Sequence, residues 1–352
     1  MRARVCLVVI ARDEAGRIAR LLDSVRPWVD EMLVLDTGST DDTAALAAAH
    51  GARVAHFSWC HDFSAARNRA LELAGADWHL VLDADEWLID GGEALLALRD
   101  AAPNFVGTVA LEDQFFDGQL HSSAHSRLSR LLPGAVRYAG LVHEQPVHQL
   151  PLRDLPLRVG HDGYLPERLH DKQGRNRQLL ERELDLHPDD AYLWYQLGKD
   201  AYVYEDYELA ESAFARADAL PHPQDGWWFD LMARRLFALK QLKRHAQGLQ
   251  LAEQQLGVCG DSPDFFFTLG DLLLDFAADE PAQGEALLPL IEQAWERCLA
   301  LGERPLHSGA VAGRGSHLAA HNLALLLEAT GREAQAHQLR GMHAPLKQGL
   351  SA

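Results

Sequence analysis

The amino-acid sequence predicts an α/β domain with a doubly wound sheet, followed by an all-α domain of paired helices. Within residues 5–83, short apolar runs alternate with segments of helical periodicity, which is typical of buried parallel strands joined by helices. From about residue 165 the helical periodicity continues almost to the end of the chain. Because 352 residues suffice for two ordinary cores, we expect one domain over residues 1–165 and a second over 166–352.

The segments of the first domain follow one another in a regular order. We predict strands at Val5–Ala11, Glu31–Asp36, Arg53–Phe57 and Trp78–Asp83, and helices at Ala15–Val25, Asp41–His50 and Ser64–Ala74. Shorter strands, among them Val106–Leu111 and Arg127–Leu132, complete the domain. Ser39 or Thr40 is expected to cap the second helix, and Ser64 the third, because hydroxyl side chains satisfy the first amides of a helix.

The helical half carries the spacing of a repeat. It opens with the charged segment Glu167–Arg177. A tetratricopeptide pattern of about 34 residues is matched at most positions by Trp194, Leu197, Gly198, Ala210, Phe214, Ala217 and then Pro221 or Pro223, with weaker copies at Phe266–Gly270 and from Asn322 onward. Stacked repeats bury a continuous core, so a short array is expected, with an ordinary helical bundle as the alternative.

Composition and charge exclude several classes of protein. The 47% hydrophobic content is that of a globular chain, and a net charge of −18 works against binding through a nucleic-acid backbone. No stretch approaches the roughly 20 apolar residues that cross a bilayer, so we expect no integral membrane association. The four cysteines, Cys6, Cys60, Cys259 and Cys298, show no framework spacing, which favours a reducing, cytoplasmic setting.

The acidic pair Asp83 and Asp85 follows the fourth apolar strand. Carboxylates two residues apart point to opposite faces of a regular strand, so both can reach one ion only where the strand gives way to a loop. Mg²⁺ and Mn²⁺ favour carboxylate and phosphate oxygens and can bridge a protein to a diphosphate. The pair therefore predicts a metal site, with a solvated acidic loop as the alternative.

Two further segments carry polar groups near strand ends. Asp36 ends a buried strand, where an acceptor for a base or ribose is useful, because doubly wound sheets bind ligands at the carboxyl ends of their strands. Arg67 lies in the first turns of the third helix, where it could offer charge to a diphosphate. The segment that contains Arg67 is explained equally well as a capped helix that binds no ligand.

Four ordered motifs carry a resemblance to a known family. Val9–Glu14, Leu35–Thr43, Asp62–Asn68 and Leu82–Glu86 occur in the order seen in family-2 glycosyltransferases of the GT-A fold. The helical half resembles the subgroup with C-terminal tetratricopeptide repeats, which includes bacterial peptide S-glycosyltransferases. The resemblance implies a GT-A mixed, Rossmann-like sheet, a nucleotide-sugar donor that is a UDP-sugar, and Mn²⁺ or Mg²⁺ as the cofactor.

The resemblance also implies which residues bind the donor. The nucleotide contacts would be Ala11, Arg12, Glu14, Asp36, Arg67, Asn68 and Asp83. Asp36 would bind the uracil or ribose, Asp83 the ribose or the metal, and Asp85 the metal. A third metal ligand comes from later in this fold, and His143 is preferred to His161 for it. The alternative role of His161 is to bind the nucleotide or shape its pocket.

The chemistry expected of such a site is transfer of a single sugar with inversion. A carboxylate would remove the proton of the attacking hydroxyl or thiol while the metal stabilises the departing diphosphate. Asp113 and Glu144 are the candidates for this base, and each could instead be a structural partner of Arg127 or Arg130.

The acceptor is expected to be a protein or peptide that the helical domain recognises, or that domain mediates homodimer formation. A lipopolysaccharide-core or other saccharide acceptor is the first alternative. A repeat scaffold that has lost catalysis is the second, although the sequence retains Asp36, Asp83 and Asp85.

Overall fold

The structure is a computed structural model that describes residues 2–117, 120–162, 174–221 and 226–343, without the side chains of 114–123. Contacts divide the chain into two compact units, Met1–Pro188 and Asp189–Ala352. The predicted boundary at residues 165 and 166, and most of the charged segment Glu167–Arg177, lie outside the described residues. None of the helices in the described ranges is long and apolar enough to cross a membrane.

The first unit alternates strands and helices and then becomes mainly β. Its strands are β1 (Val5–Ala11), β2 (Glu31–Asp36), β3 (Arg53–His56), β4 (Trp78–Val81), β5 (Glu86–Asp90), β6 (Val106–Asp117), β7 (Leu120–Pro133), β8 (Arg137–Ala139), β9 (Gln145–Val147) and β10 (Leu152–His161). Its helices are α1 (Ile18–Val25), α2 (Thr43–Ala49), α3 (Phe63–Ala74), α4 (Glu93–Ala97) and α5 (Arg175–Leu186), with a 3₁₀ turn at Leu98–Asp100.

Eight of these strands form one mixed sheet. Their order is β3-β2-β1-β4-β7-β6-β10-β5, while β8 and β9 form a separate pair. Strands β1 to β4 run parallel to one another, whereas β7 is antiparallel to both β4 and β6, and β10 is antiparallel to β5. The prediction of a doubly wound, GT-A-like mixed sheet is confirmed.

Helices cover both faces of this sheet because successive side chains of its strands point to opposite sides. On one face Val5, Leu7 and Val9 pack with residues of α1 such as Leu22. On the other face Cys6 and Val8 pack with α3. The apolar runs of the sequence are therefore strands buried on both sides.

Several local predictions about helix starts are corrected. Helix α2 begins at Thr43, and neither Ser39 nor Thr40 caps it. Instead, Ser39 Oγ accepts from the Asp13 amide at 3.0 Å, and the Thr40 amide donates to Asp13 at 2.7 Å, so these residues join two loops. Helix α3 is capped by Asp62, whose carboxylate accepts from the Ala65 amide, and not by Ser64.

The strand that leads into the acidic pair is shorter than predicted. Strand β4 ends at Val81, and residues 82–85 turn before β5 begins at Glu86. Asp83 and Asp85 therefore leave the regular strand geometry, as the argument for a shared site requires. Strands β6 and β7 are longer than predicted, because their polar residues conceal the strand pattern in the sequence.

The second unit is built from helices in consecutive pairs. Its elements are α6 (Ala191–Val203), α7 (Tyr207–Ala219), α8 (Trp228–Gln241), α9 (His245–Gln255), α10 (Pro263–Asp279), α11 (Gly284–Leu301), α12 (His317–Ala329) and α13 (Glu333–Met342), with a 3₁₀ turn at Pro281–Gln283 and a short extended segment, β11 (Ala310–Val311). One continuous apolar core runs from Tyr195 to Leu339. The predicted all-α, tetratricopeptide-like second half is confirmed.

The glycines of the repeat pattern have a packing role. A Cβ atom at Gly198 would lie 2.5 Å from the ring of Phe214, and one at Gly270 would lie 2.4 Å from the indole of Trp295. In both pairs the small residue allows a neighbouring helix to approach with a large aromatic side chain. The same device therefore recurs at corresponding positions of two helix pairs.

Candidate active site

Polar side chains gather where the parallel strands end. Asp36 is the last residue of β2 and lies beside His56, the last residue of β3, in the strand register. The Asp83–Asp85 turn follows β4. Because the carboxyl ends of parallel strands share one edge of a sheet, these groups lie on the side where such folds bind ligands.

Asp83 is held by two arginines, one at each carboxylate oxygen. Arg67 Nη2 donates to Oδ1 at 2.6 Å, and Arg130 Nη2 donates to Oδ2 at 2.9 Å. Arg67 also pairs with Glu144, and Arg130 also pairs with Glu86. The five side chains form a continuous charge network in which Asp83 is the central carboxylate.

Burial and charge act on this network in opposite directions. Burial alone would raise the pKa of Asp83, but the charges of Arg67 and Arg130 outweigh it and hold that pKa below its ordinary value. Burial raises the pKa of Glu86 to about 7 against the opposing charge of Arg130. Asp83 is thus a firmly ionised carboxylate whose charge two guanidinium groups already neutralise.

Asp85 lies in a different environment from Asp83. The residue is only 6% exposed. His161 Nε2 is 3.5 Å from Asp85 Oδ2, and Arg17 Nη1 is 3.7 Å from the same oxygen. The other ring nitrogen of His161 lies 2.6 Å from Asp113 Oδ1. The strand register produces this arrangement, because His161 of β10 is opposite Asp113 of β6.

The Asp85–His161 pair fits a hard divalent cation. Burial would lower the pKa of His161, but its bonds to Asp113 and Asp85 outweigh burial and raise that pKa to about 10, so a cation must displace the proton from Nε2 in order to bind there. A histidine that binds a metal commonly donates its other ring hydrogen to a carboxylate, which is the position of Asp113. Within the described ranges no three His, Cys, Asp or Glu side chains converge on a point that could hold an ion. Two protein ligands suffice for Mg²⁺ when phosphate oxygens complete the shell.

Asp36 lines a cavity of about 320 Å³. The cavity is lined by Asp36, Thr37, Gly38, His56, Phe57, Ser58 and Trp59. Asp36 Oδ1 accepts from the Ser39 amide at 3.1 Å, and Oδ2 lies 3.1 Å from His56 Nδ1. Burial acts to raise the pKa of Asp36, but the bonds from Ser39 and His56 outweigh it and lower that pKa. Asp36 therefore presents an ionised acceptor to the cavity.

The first motif contributes mainly through its backbone and two ion pairs. The carbonyl of Ala11 accepts from the Thr37 amide at 2.9 Å, which joins the loops after β1 and β2. Arg12 Nε lies 3.7 Å from Asp13, and the Arg12 side chain is about half exposed. Glu14 pairs with Arg17 at 3.0 Å, and Arg17 in turn approaches Asp85.

Asn68 and His143 occupy positions near the Asp83 network. The Asn68 side chain forms two bonds with the backbone of Tyr138, donating to its carbonyl at 2.9 Å and accepting from its amide at 2.8 Å. This pair of bonds fixes α3 against β8. His143 lies in the loop between β8 and β9 with φ +50°, and its carbonyl accepts from Gln145 Nε2 at 3.0 Å.

Three residues of the site were missed by reasoning from the sequence. His56 could have been found, because it ends β3 beside Asp36 and the rule for strand ends applies to it equally. Arg17 lies one turn after Glu14 but carries no local signal of its own. Arg130 lies within a polar strand, where the sequence offered it only as a partner of Asp113 or Glu144.

The comparison with protein families matches the first unit. Residues 6–132 fit the model described as glycosyl transferase family 2. The four motifs that suggested this family all lie within that range. Residues 6–132 therefore match a family 2 glycosyltransferase domain, and the resemblance found in the sequence is confirmed.

Two curated relatives are each named for one of the two features of this chain. A TPR repeat-containing protein of Synechococcus elongatus is 40% identical over 209 residues, which cover 56% of this chain and 52% of the relative. The SPbeta prophage-derived glycosyltransferase SunS of Bacillus subtilis is 30% identical over 213 residues, covering 57% of this chain and 50% of SunS. The chain thus spans about half the length of these relatives.

Two solved structures are similar to parts of this chain. Glucosyl-3-phosphoglycerate synthase of Mycobacterium tuberculosis, solved with Mn²⁺, UDP and glucosyl-3-phosphoglycerate, is 26% identical with a TM-score of 0.26, covering 33% of this chain and 46% of that one. MamA of Desulfovibrio magneticus RS-1 is 15% identical with a TM-score of 0.39, covering 53% of this chain and 89% of that one.

Proposed function

We propose that this protein transfers a single sugar from a nucleotide-sugar donor to a protein or peptide acceptor, in a reaction that requires Mn²⁺ or Mg²⁺ and inverts the anomeric centre. The observation that carries the proposal is the placement of Asp85 against His161, with Asp113 behind the imidazole, in a family 2 glycosyltransferase domain. A buried carboxylate and an oriented imidazole are suited to a divalent cation.

Asp85 and His161 would hold the cation. When bound, the cation neutralises the charge that develops on the departing diphosphate. Asp113 keeps the His161 ring in one orientation, and we assign it this positioning role in preference to that of the base. Arg17, at 3.7 Å from Asp85, adds a positive charge on the same side.

Asp83 is assigned to the ribose rather than to the metal. Both of its oxygens accept from arginines, so its charge is already compensated and its attraction for a second cation is reduced. Each carboxylate oxygen has a further lone pair, so Asp83 can still accept from a ribose hydroxyl. Arg67 and Arg130 fix its orientation before the donor arrives.

Glu144 is the proposed base. An inverting transfer needs a carboxylate that takes the proton of the acceptor as the new bond forms. Asp113 and Glu144 each have one oxygen engaged, by His161 and by Arg67 respectively. Because we assign Asp113 to orient the proposed metal ligand His161, Glu144 is the carboxylate that remains to accept the proton. Replacement with Gln would keep an oxygen for Arg67 and remove the base.

The helical unit supports a protein or peptide acceptor. Arrays of paired helices present extended surfaces to elongated partners, and this array has a continuous core from α6 to α13. A saccharide acceptor is the second candidate, because a relative that is 32% identical over 136 residues is the succinoglycan biosynthesis protein ExoU of Rhizobium meliloti.

The test is product analysis by mass spectrometry. The full chain is incubated with Mn²⁺, a panel of nucleotide sugars, and either a peptide library or a set of oligosaccharides. We expect a peptide to gain the mass of one sugar, with a loss of at least about a hundredfold in Glu144→Gln. Glu72→Gln, at a half-exposed carboxylate of α3, is the matched control. A gain of one sugar by oligosaccharides but not by peptides would favour the second candidate. Activity of Glu144→Gln equal to that of the wild type would refute the assignment of Glu144 as the base.

A further inference from the structure

The end of β10, which carries His161, is tied to helix α1 by an ion pair. Arg20 Nη2 of α1 donates to Asp162 Oδ2 at 2.8 Å, across 142 positions of the chain. The side chain of Asp162 is only 7% exposed, so water competes little for this bond, whereas that of Arg20 is 41% exposed. The residue that follows His161 is therefore held by a group outside the sheet.

The same guanidinium also contacts the side chain of Trp87. Arg20 Cζ lies 3.8 Å from the centroid of the Trp87 ring, a separation at which a cation is attracted to an aromatic face. Trp87 of β5 is opposite Gly160 of β10 in the strand register. A Cβ atom at Gly160 would lie 2.4 Å from Trp87 Cζ2, so the indole packs directly against the Gly160 backbone. The residue before His161 is thus covered by the ring that Arg20 contacts.

Both neighbours of His161 are therefore linked to one arginine, and this matters because of where His161 lies. It is the last residue of β10, and the ends of an element open more readily than its centre. The bond to Asp113 fixes the rotation of the ring, whereas the position of the ring depends on the backbone around His161. A ligand must be held to within about 0.5 Å of its productive position for a site to bind tightly.

We infer that Arg20 is a positioning residue that holds His161 beside Asp85, acting through Asp162 and Trp87. Arg20 has no acceptor atom and so cannot bind the cation itself. The inference rests on the proposed metal site and adds to it a side chain that none of the four motifs contains.

The experiment is a titration of the full chain with Mn²⁺ in the presence of UDP, followed by electron paramagnetic resonance of the free ion. Arg20→Ala should lower the affinity for Mn²⁺ about tenfold, because groups that orient a metal ligand commonly contribute that much. Arg20→Lys should recover the affinity to within about threefold of the wild type, since an ammonium group can also donate to Asp162 and lie over Trp87.

Arg26→Ala is the matched control. Arg26 follows α1, donates to Asp23 Oδ1 at 2.7 Å, and has a side chain that is 50% exposed, similar to that of Arg20. This variant should leave the affinity for Mn²⁺ unchanged. Circular dichroism verifies that each variant is folded.

A spectroscopic readout distinguishes positioning from a general loss of stability. Electron spin echo envelope modulation of bound Mn²⁺ detects the ¹⁴N nucleus of a directly coordinated imidazole. We expect this coupling in the wild type, Arg20→Lys and Arg26→Ala, and a loss of most of its amplitude in Arg20→Ala at saturating Mn²⁺. A variant that is only less stable would keep the coupling in its folded fraction.

The outcomes separate the inference from the proposed function. If the wild type shows the ¹⁴N coupling and Arg20→Ala retains both the affinity and the coupling, the role of Arg20 is refuted and the metal site stands. If Arg20→Ala loses affinity but keeps the full coupling, Arg20 does not act through His161 and the inference is again refuted. If the wild type binds no Mn²⁺, or binds it without the coupling, the proposed metal site fails and the inference fails with it.

Discussion

His161 Nε2 lies 3.5 Å from Asp85 Oδ2 although 76 positions separate the two residues along the chain. Strand pairing brings them together, because the antiparallel pairing of β10 with β5 places His161 opposite Glu86, the residue after Asp85. A slip of one residue in this register would turn His161 to the other face of the sheet. The metal site that we propose therefore depends on a contact between strands rather than on a local motif.

The first prediction concerns the histidine ligand. His161→Ala should lower the affinity for Mn²⁺ in the presence of UDP by about 10- to 100-fold. Asp113→Asn should lower the same affinity by about tenfold, because Asp113 orients the His161 ring. Electron paramagnetic resonance of free Mn²⁺ measures both effects. His143→Ala is the control, with an expected change below threefold. A larger loss in His143→Ala than in His161→Ala would reverse our assignment.

The second prediction concerns the charge network below the site. Arg130→Met should destabilise the protein by about 3–5 kcal/mol, because Glu86, with a side chain only 2% exposed, would lose its charged partner. Unfolding in urea measures the change. Adding Glu86→Gln should recover part of the loss, since the uncompensated charge is then absent. Arg69→Met, at an exposed pair with Glu72, should change stability by less than about 1 kcal/mol.

The third prediction concerns the helix contact at Gly198. Gly198→Ala places a methyl group 2.5 Å from the ring of fully buried Phe214, so α6 and α7 must separate. We expect a loss of about 1–3 kcal/mol in thermal or urea unfolding. Gly284→Ala is the control, because no atom lies within 4 Å of its added Cβ. Equal stability of both variants would contradict the role of Gly198 in helix packing.

The fourth prediction is a pH dependence of the helical unit. Burial raises the pKa of Asp271 to about 6, against the charges of Lys240 and Arg314. Between roughly pH 4 and this value the folded state holds a proton that the unfolded state has lost, so this group makes the protein less stable as the pH rises. Above this pKa, Asp271 is ionised in the folded state, and the buried charge lowers the free energy of unfolding by its full amount.

Asp271→Asn removes that cost and keeps an oxygen to accept from Asn322 Nδ2, which bonds at 3.1 Å. The variant should exceed the wild type in free energy of unfolding by about 1–3 kcal/mol at pH 7.5, with the difference vanishing near pH 4. Asp275→Asn, at a half-exposed carboxylate of the same helix, is the control. A difference for Asp271→Asn that grows as the pH falls would contradict the sign of the effect.

The parts of the fold that the sequence predicts well are those set by local patterns. Strand β1 and strand β2 have the predicted bounds, because apolar runs buried on both faces are visible in the sequence. The Gly198 position is likewise visible as a small residue at repeat spacing. Strand β7, by contrast, carries polar residues such as Arg127 and Arg130. Its start at Leu120 could therefore not be predicted from an alternation of apolar and polar residues.

The candidate site, like the fold, has parts that local patterns predict and parts that depend on contacts between distant strands. The positions of Asp36 and Asp83 were predictable, because each lies at or just after the end of a buried strand, at the edge where such sheets bind ligands. The proposed preference for His161 over His143 could not be reached from the sequence, since it depends on the register of β10, a strand that pairs with distant parts of the chain. The prediction that Ser39 caps a helix was wrong for a related reason, because its hydroxyl accepts from the amide of Asp13 in another loop.

The central claim is that a divalent cation bound at Asp85 carries the donor diphosphate. The most direct test is a titration of the full chain with Mn²⁺, with and without UDP, for the wild type, Asp85→Asn and the control Glu72→Gln, followed by electron paramagnetic resonance. We predict that UDP strengthens Mn²⁺ binding in the wild type and the control, and that Asp85→Asn abolishes this coupling while retaining its folded circular dichroism spectrum. Equal coupling in Asp85→Asn would contradict the account.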